Sequence, residues 1–318
     1  MILAGDIGGT NTRLAFCEVQ AGAVRPLTIE IFPSKEHGNL DEIVAKFVAK
    51  AVAPADRRVL HSCFGIAGPV KNGRCETTNL PWVVDSSALA RQLGIPTVSL
   101  INDLEANAWG IPALAPEDFA TLNEGAPGAS GNAVVVSAGT GLGEAGITWD
   151  GSRGVPFASE GGHSDFAPQS DIEIELLRFL GRELGGHVSV ERVLSGPGLH
   201  NIYRFLRDTG MGKEDAALAE DIRSKGAPAA ISSAALAGSS ELCVRAMDLF
   251  VSIYGAEAGN MALKAMATGG VYIGGGIAPR IVARLRRPGF MEAFLAKGRM
   301  RPLLEAMHVR VILNDKTA

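Results

Sequence analysis

One local pattern occurs twice in this chain, and it restricts the fold more than any other feature. "MILAGDIGGTNTRLAF" begins at residue 1 and "AVVVSAGTGLGEAGI" begins at residue 133. Each is an apolar strand, a Gly/Thr-rich turn and a second small apolar run. Repetition of a strand–turn–strand unit on that scale predicts two domains built on one plan. A length of 318 residues, 47% of them hydrophobic, supplies enough apolar material for two cores.

Other strand-like runs are "TIEIF", "VLHSCFGIA", "TVSLI", "VYIGGG" and "VRVIL". Helical periodicity separates some of them. "NLDEIVAKFVAKAV" places Leu40, Ile43, Val44, Phe47, Val48 and Ala51 on one face, and Asn39 with Glu42 forms a capping-box-like start. Ser170 and Glu173 have the spacing of a second capping box, and Glu241 to Met266 reads as one long helix. Asn72-Gly73 predicts a hairpin turn with positive φ at both residues. The mixture of strands and helices predicts an α/β class.

Charge and cysteine content exclude several functions. Net charge is −4 with no Lys/Arg tract, which argues against nucleic acid or an anionic membrane as partner. Cys17, Cys63, Cys75 and Cys243 are scattered, form no C-x-x-C and have no histidine at zinc spacing. Free thiols in a reducing cytoplasm are expected. The N-terminus shows no basic n-region, and no apolar run reaches the ~18–20 residues of a membrane span.

The first glycine turn, Gly5-Asp6-Ile7-Gly8-Gly9-Thr10-Asn11, suits a phosphate. Glycine reaches positive φ without strain and lets a ligand approach the backbone. Successive N–H groups then bind an anion, and Thr10 and Asn11 add donors. Asp6 beside a phosphate is repulsive unless a cation intervenes, and Mg²⁺ held through water supplies one. A second turn offers Gly139, Thr140 and Gly141, and a third offers Gly274, Gly275 and Gly276. The P-loop pattern is absent, and the dinucleotide fingerprint fails because Glu144 stands where its third glycine belongs.

Planar polar side chains gather in four segments: Thr77-Thr78-Asn79, Asn102-Asp103, Ser159 to Pro168, and Glu191 within "VSVERVLSGPG". Carboxylates, amides and imidazole suit the vicinal hydroxyls of a hexose. Each segment has an ordinary alternative. Asn102-Asp103 equally suits a helix N-cap, His163 a loop position, and Glu191-Arg192 a surface pair.

In this order, Gly5–Thr12, Asn102-Asp103, Gly139–Gly143, Glu160–His163, Glu191–Gly198 and Gly269–Pro279 resemble the motifs of the bacterial glucokinases. The chain resembles the ATP-dependent, cytoplasmic branch of that family, within the hexokinase/actin-like ATPase superfamily. The cysteine-rich zinc motif of related sugar kinases and repressors is absent. The resemblance implies a two-domain actin-like ATPase (ribonuclease-H-like) α/β fold with an interdomain cleft. Residues 1–110, completed by 304–318, would form the small domain and 111–303 the large one. It also implies that Asn79, Asn102, Asp103, Glu160, His163 and Glu191 hold glucose. Gly5 to Asn11, with Gly139, Thr140, Gly141 and Gly274 to Gly276, would hold ATP. Asp6 would meet Mg²⁺ through water, and Asp103 would be the general base.

The expected reaction is phosphorylation of D-glucose to glucose 6-phosphate, with domain closure excluding water. The alternatives are a kinase for mannose, fructose or N-acetylglucosamine, and an actin-like structural ATPase. A repressor would need a DNA-binding segment before Asp6, where five residues leave no room. The resemblance further suggests a homodimer. The family usually continues past "VILNDKTA" with a glycine-rich turn and a helix on the small domain, and lack of that helix would expose apolar surface.

Overall fold

The computed structural model describes residues 1–20, 23–50, 59–77 and 79–314. Met1–Leu114 form one compact unit, and the chain from Ala115 forms a second.

In the first unit, β1 (Ile2–Ile7) pairs antiparallel with β2 (Asn11–Gln20), and β2 pairs antiparallel with β3 (Ala23–Pro33). After helix α1 (Leu40–Lys50), β4 (His61–Ile66) returns parallel to β1. A small antiparallel sheet follows, made of β5 (Val70–Lys71), β6 (Arg74–Glu76) and β7 (Val83–Asp85). Helix α2 (Ser86–Leu93) then leads to β8 (Val98–Asn102), which is parallel to β4, and to helix α3 (Asp103–Gly110). The main sheet order is β3-β2-β1-β4-β8.

Period-2 burial explains one face of that sheet. Leu3, Ile7, Leu14, Phe16 and Phe64 share a core with Leu40, Ile43, Val44 and Phe47 of α1. Each such side chain contributes about 1.5–3 kcal/mol when fully buried. The helical face ends sooner than its periodicity predicts: Val48 is exposed, and Ala51 lies outside the described residues. Asn39 Oδ1 accepts the Glu42 N–H at 2.9 Å as expected, but the Glu42 carboxylate receives the N–H of Gly38 instead of Asn39. Asn72 and Gly73 take φ of 51° and 71°, the predicted hairpin turn.

The second unit repeats the plan. After β9 (Phe119–Asn123), β10 (Ala133–Ala138), β11 (Leu142–Trp149) and β12 (Gly154–Ser159) form an antiparallel run. Helices α4 (Asp171–Leu184), α5 (Gly196–Asp208), α6 (Ala216–Lys225), α7 (Ala227–Ala237) and α8 (Glu241–Ala265) follow. Then β13 (Gly270–Gly274) pairs parallel with β10, and β14 (Val309–Ile312) parallel with β13. The order is β12-β11-β10-β13-β14-β9. The strand directions of β12 to β14 therefore match those of β3 to β8.

That match corrects the expected domain division. Residues 304–312 do not complete the first unit. Val309 and Val311 are buried in the second core, because β14 takes the place in its sheet that β8 takes in the other. Residues 111–114 stay with the first unit, and 315–318 lie outside the described residues. One cap also differs. The Ser170 side chain makes no cap hydrogen bond, and Glu173 instead accepts the N–H of Gln169 at 2.7 Å. Among the described residues no helix is long and apolar enough to cross a membrane.

Candidate active site

In the first unit the glycine turn is shaped by contacts rather than by unusual φ. Neither Gly8 nor Gly9 is left-handed. A Cβ on Gly9 would sit 2.7 Å from the Cβ of Asn79, and one on Gly8 would sit 3.0 Å from the carbonyl of Asn11. The positive φ expected of this turn is therefore replaced by close approach, and Asn79 is brought onto the turn. Gly8 donates its N–H to Asn11 O at 3.0 Å, so it closes the turn itself.

Ser34 pins the turn from behind. Its hydroxyl donates to Gly8 O at 2.7 Å and meets the buried Thr12 hydroxyl at 3.0 Å, while its N–H donates to Thr10 O at 2.9 Å. Thr10 and Asn11 remain exposed. Gly5 serves packing, since a Cβ there would collide with Phe64 and Leu14. Ile7 buries its side chain in the core.

Asp6 lies directly opposite Arg13 on the β1–β2 ladder and beside a cavity of about 170 Å³ lined by Ala4, Cys63 and Trp109. Burial raises its carboxyl above the ordinary range, and Arg13 opposes the rise. A cation brought to this carboxylate would offset the desolvation. Mg²⁺ is bound mainly by phosphate oxygens and water and needs one or two carboxylates. Among the described residues no cluster of three or more acidic, histidine or cysteine side chains could hold a metal alone. Asp6 fits the limited role of a single carboxylate.

Asn102 and Asp103 occupy the β8–α3 junction, and the helix-cap reading of the pair applies. Asn102 is the helix cap: its Oδ1 accepts from Leu104 N at 2.9 Å and from Glu105 N at 3.4 Å. Its Nδ2 donates to Gly68 O at 3.3 Å. Both lone pairs of the amide oxygen are thus used, and one N–H is left for a ligand. Asp103 is the first residue of α3, and its Oδ1 accepts the Leu104 N–H at 3.0 Å. Gly65 lets this helix approach β4, because a Cβ there would sit 2.7 Å from the Ala106 Cβ and 3.7 Å from the Asp103 Cα.

In the second unit the turn Gly139–Gly141 sits among the other predicted residues. On one side a Cβ on Gly139 would lie 4.0 Å from Gly276 N, and Ile277 N donates to Ala138 O at 3.2 Å. Gly275 has φ of +81° and no room for a Cβ against Ala138 O, so glycine is required there. Tyr254, fully buried, ties the base of this turn together. Its hydroxyl lies 3.1 Å from Val136 O and 3.2 Å from Gly274 O, and it accepts the Ala138 N–H at 3.2 Å.

On the other side stands Glu191. Its Oε2 accepts the Leu142 N–H at 2.9 Å, and a Cβ on Gly141 would lie 2.6 Å from that oxygen. Gly196 N donates to Gly139 O at 2.8 Å, which holds the start of α5 to the same turn. The segment Glu160–His163 joins them. Val190 N donates to Ser164 O at 2.9 Å, and Gly162 packs on Leu142 O with no room for a Cβ. Glu160 and His163 are exposed, with Oε2 and Nε2 3.9 Å apart.

The structure therefore assembles two sets. Gly8, Gly9, Thr10, Asn11 and Asn79 meet in the first unit, which also carries Asp6, Asn102 and Asp103. Gly139–Gly141, Gly274–Gly276, Glu160–His163 and Glu191 meet in the second. Sequence reading missed Ser34, Gly65 and Tyr254. Gly65 stands in "CFGIAG", a glycine interrupting a strand, which is a signal of close approach. Ser34 and Tyr254 act from distant elements and carry no local signal.

Residues 3–318 match the family model described as Glucokinase. The glucokinase of Trichormus variabilis is 41% identical over 332 residues, covering 99% of this chain and 96% of the relative. A glucokinase structure from an Antarctic psychrotroph has a TM-score of 0.84 at 30% identity, over 99% of this chain and 95% of that one. A ROK-family glucokinase of Streptomyces griseus in complex with glucose and AMPPNP has a TM-score of 0.63 over 99% and 96% of the chains. At 20% identity the latter shows a shared fold.

Proposed function

This chain belongs to the glucokinase family, and we propose that it carries out the family's reaction with ATP as phosphoryl donor and Asp103 as general base. The activity is phosphorylation of D-glucose to glucose 6-phosphate. The observation that carries the assignment of residues is the contact of Glu191 with the turn at Gly141 and Leu142. A carboxylate assigned to the sugar is fastened to a turn assigned to phosphate.

Glu160, His163 and Glu191 bind vicinal sugar hydroxyls, with Asn79 and the remaining N–H of Asn102 as further donors. Thr10, Asn11, Thr140 and the backbone of both turns bind the phosphates. Asp6 would hold Mg²⁺ through water, and the bound ion would supply positive charge against the phosphate oxygens. Asp103 takes the proton of the sugar 6-hydroxyl as that oxygen bonds to the γ-phosphorus and the bond to ADP breaks. The Leu104 N–H on Oδ1 fixes the orientation of its carboxylate. Such a base contributes ~10²–10⁴-fold, or about 3–5 kcal/mol. Positioning and charge stabilisation supply the rest, because the transition state is loose.

ATP use fits a cytoplasmic location, as do the four free cysteines. The family resemblance supports a homodimer, which sizing in solution tests. A coupled ADP-release assay over glucose, mannose, fructose and N-acetylglucosamine tests the function. The highest kcat/KM is expected for glucose. Preference for another hexose overturns the substrate, and ATP-dependent filaments without sugar turnover overturn the enzyme reading.

A further inference from the structure

Behind the Glu160–His163 segment lies a buried carboxyl pair that the reaction does not use. Glu144, on β11, is 1% exposed, and Glu257, on α8, is 5% exposed. Both oxygens of Glu144 and Oε1 of Glu257 are buried without a hydrogen-bond partner among the described residues. Two carboxylates have no proton to offer each other, whereas an acid and a carboxylate do. Leaving such oxygens unpaired in the interior is costly, and one shared proton removes the deficit.

The pair is joined to the sugar segment by contact. Glu144 stands opposite Ser159 on the β11–β12 ladder. Gly161 packs so closely on Glu144 Oε2 that a Cβ would collide with it. Gly161 lies between Glu160 and His163, so the carboxyl of Glu144 is the floor of that segment. On the other side, Asn260 Nδ2 donates to Glu257 Oε2 at 3.0 Å, and Lys297 Nζ donates to Asn260 Oδ1 at 2.7 Å.

We propose that Glu144 and Glu257 share one proton, and that this protonated pair is a positioning device holding the Glu160–His163 segment in its sugar-binding shape. The proposal rests on the assignment of that segment to glucose. Loss of the proton would set two carboxylates against each other beneath Gly161, opposed by Lys264 Nζ, 4.0 Å from Glu257 Oε1, and by the charge of Lys297. The segment would then shift and glucose binding would weaken. The other titratable groups acting on the pair are Tyr254 on α8 and Lys297. Burial first, then the charge of Glu257, pushes the Glu144 carboxyl up to about 8, with Lys264 opposing. The device therefore works at neutral pH and fails in mild alkali.

The test is the glucose KM and kcat from pH 6.5 to 9.5 for the parent and for Glu144→Gln, whose amide donates permanently to Glu257. The parent KM is expected to rise above pH 8, approaching about tenfold per unit, while the variant KM stays flat and kcat in both follows a common profile. An equal alkaline rise of KM in both proteins overturns the proposal. Glu144→Ala, which removes the donor, should raise KM at every pH, and an unchanged KM would count against a positioning role. Denaturant unfolding of parent and Glu144→Gln across pH reads the proton without any sugar. A pH-dependent difference there, with no glucose turnover by the parent, overturns the functional assignment and the sugar half of the proposal but confirms the proton. No such difference overturns the shared proton.

Discussion

Glu191 Oε2 accepts the backbone N–H of Leu142 at 2.9 Å and lies against Gly141. The carboxylate proposed for the sugar therefore also fixes the first residue after the turn proposed for phosphate. Loss of a charged acceptor from a part-buried N–H costs about 1–3 kcal/mol. Glu191→Ala is expected to raise the glucose KM about 10- to 100-fold and the ATP KM several-fold. Steady-state kinetics with each substrate varied checks this. An unchanged ATP KM would show that the link to the turn is idle.

Asp103→Asn keeps the side-chain volume and an oxygen that can accept from Leu104 N, and it removes the proposed base. kcat should fall by about 10²–10⁴ with glucose affinity within a few-fold. Isothermal titration with glucose separates the two effects. Retention of kcat would exclude Asp103 as the base.

Asn102 acts on Asp103 through the helix. Asn102→Ala leaves Leu104 N and Glu105 N without the cap and should cost about 1–2 kcal/mol of stability. kcat should fall more than the glucose KM rises, because the amide oxygen is committed to α3. The opposite split, seen in initial-rate data, would make Asn102 chiefly a sugar ligand.

Gly65 and Ala106 share one space. Gly65→Ala places a Cβ 2.7 Å from the Ala106 Cβ, and overpacking of this kind costs about 1–3 kcal/mol. The displaced helix carries Asp103, so kcat should fall as well. Adding Ala106→Gly should recover most of both losses, less about 1 kcal/mol for glycine within a helix. Additive effects in the double-mutant cycle would break the link between Gly65 and the base.

The pH dependence of stability has a definite sign at Glu144. Its ordinary value is 4.5 and its folded value is about 8. Between those values the unfolded chain has lost the proton and the folded chain keeps it. Stability therefore falls as pH rises through that window, by at most about 1.4 kcal/mol per unit, and changes no further above 8. Glu144→Gln lacks this slope, so it should gain on the parent from pH 5 to 8. Urea denaturation across that range measures the gain, and a constant difference would refute it.

Much of the candidate site's local structure could be read from pattern, though not always for the right reason. The turn at Gly8-Gly9 was legible as a candidate phosphate turn because Asp6, two glycines, Thr10 and Asn11 stand together. Its physical basis was not, since positive φ is local while the approach of Asn79 is not. The Ser170–Glu173 spacing matched a capping box, yet Glu173 found Gln169 N instead. Glu144 was noticed only as the residue that spoils a dinucleotide fingerprint. Nothing around it in the sequence announces a partner on α8.

The sequence by itself determined what acts over a few residues. Side-chain alternation set the strands, Asn72-Gly73 set a hairpin, and Asn102 followed by Asp103 set a helix start. Sterics and hydrogen bonding between near neighbours suffice for these. The repeated strand–turn–strand unit also foretold two sheets on one plan. Tertiary structure alone decided that β14 completes the second sheet, that Tyr254 ties β10 to β13, and that Glu191 meets Gly141. It alone put Glu144 against Glu257 beneath Gly161. Such contacts join residues far apart in the chain, and they are chosen by which faces bury together, a property no local period encodes.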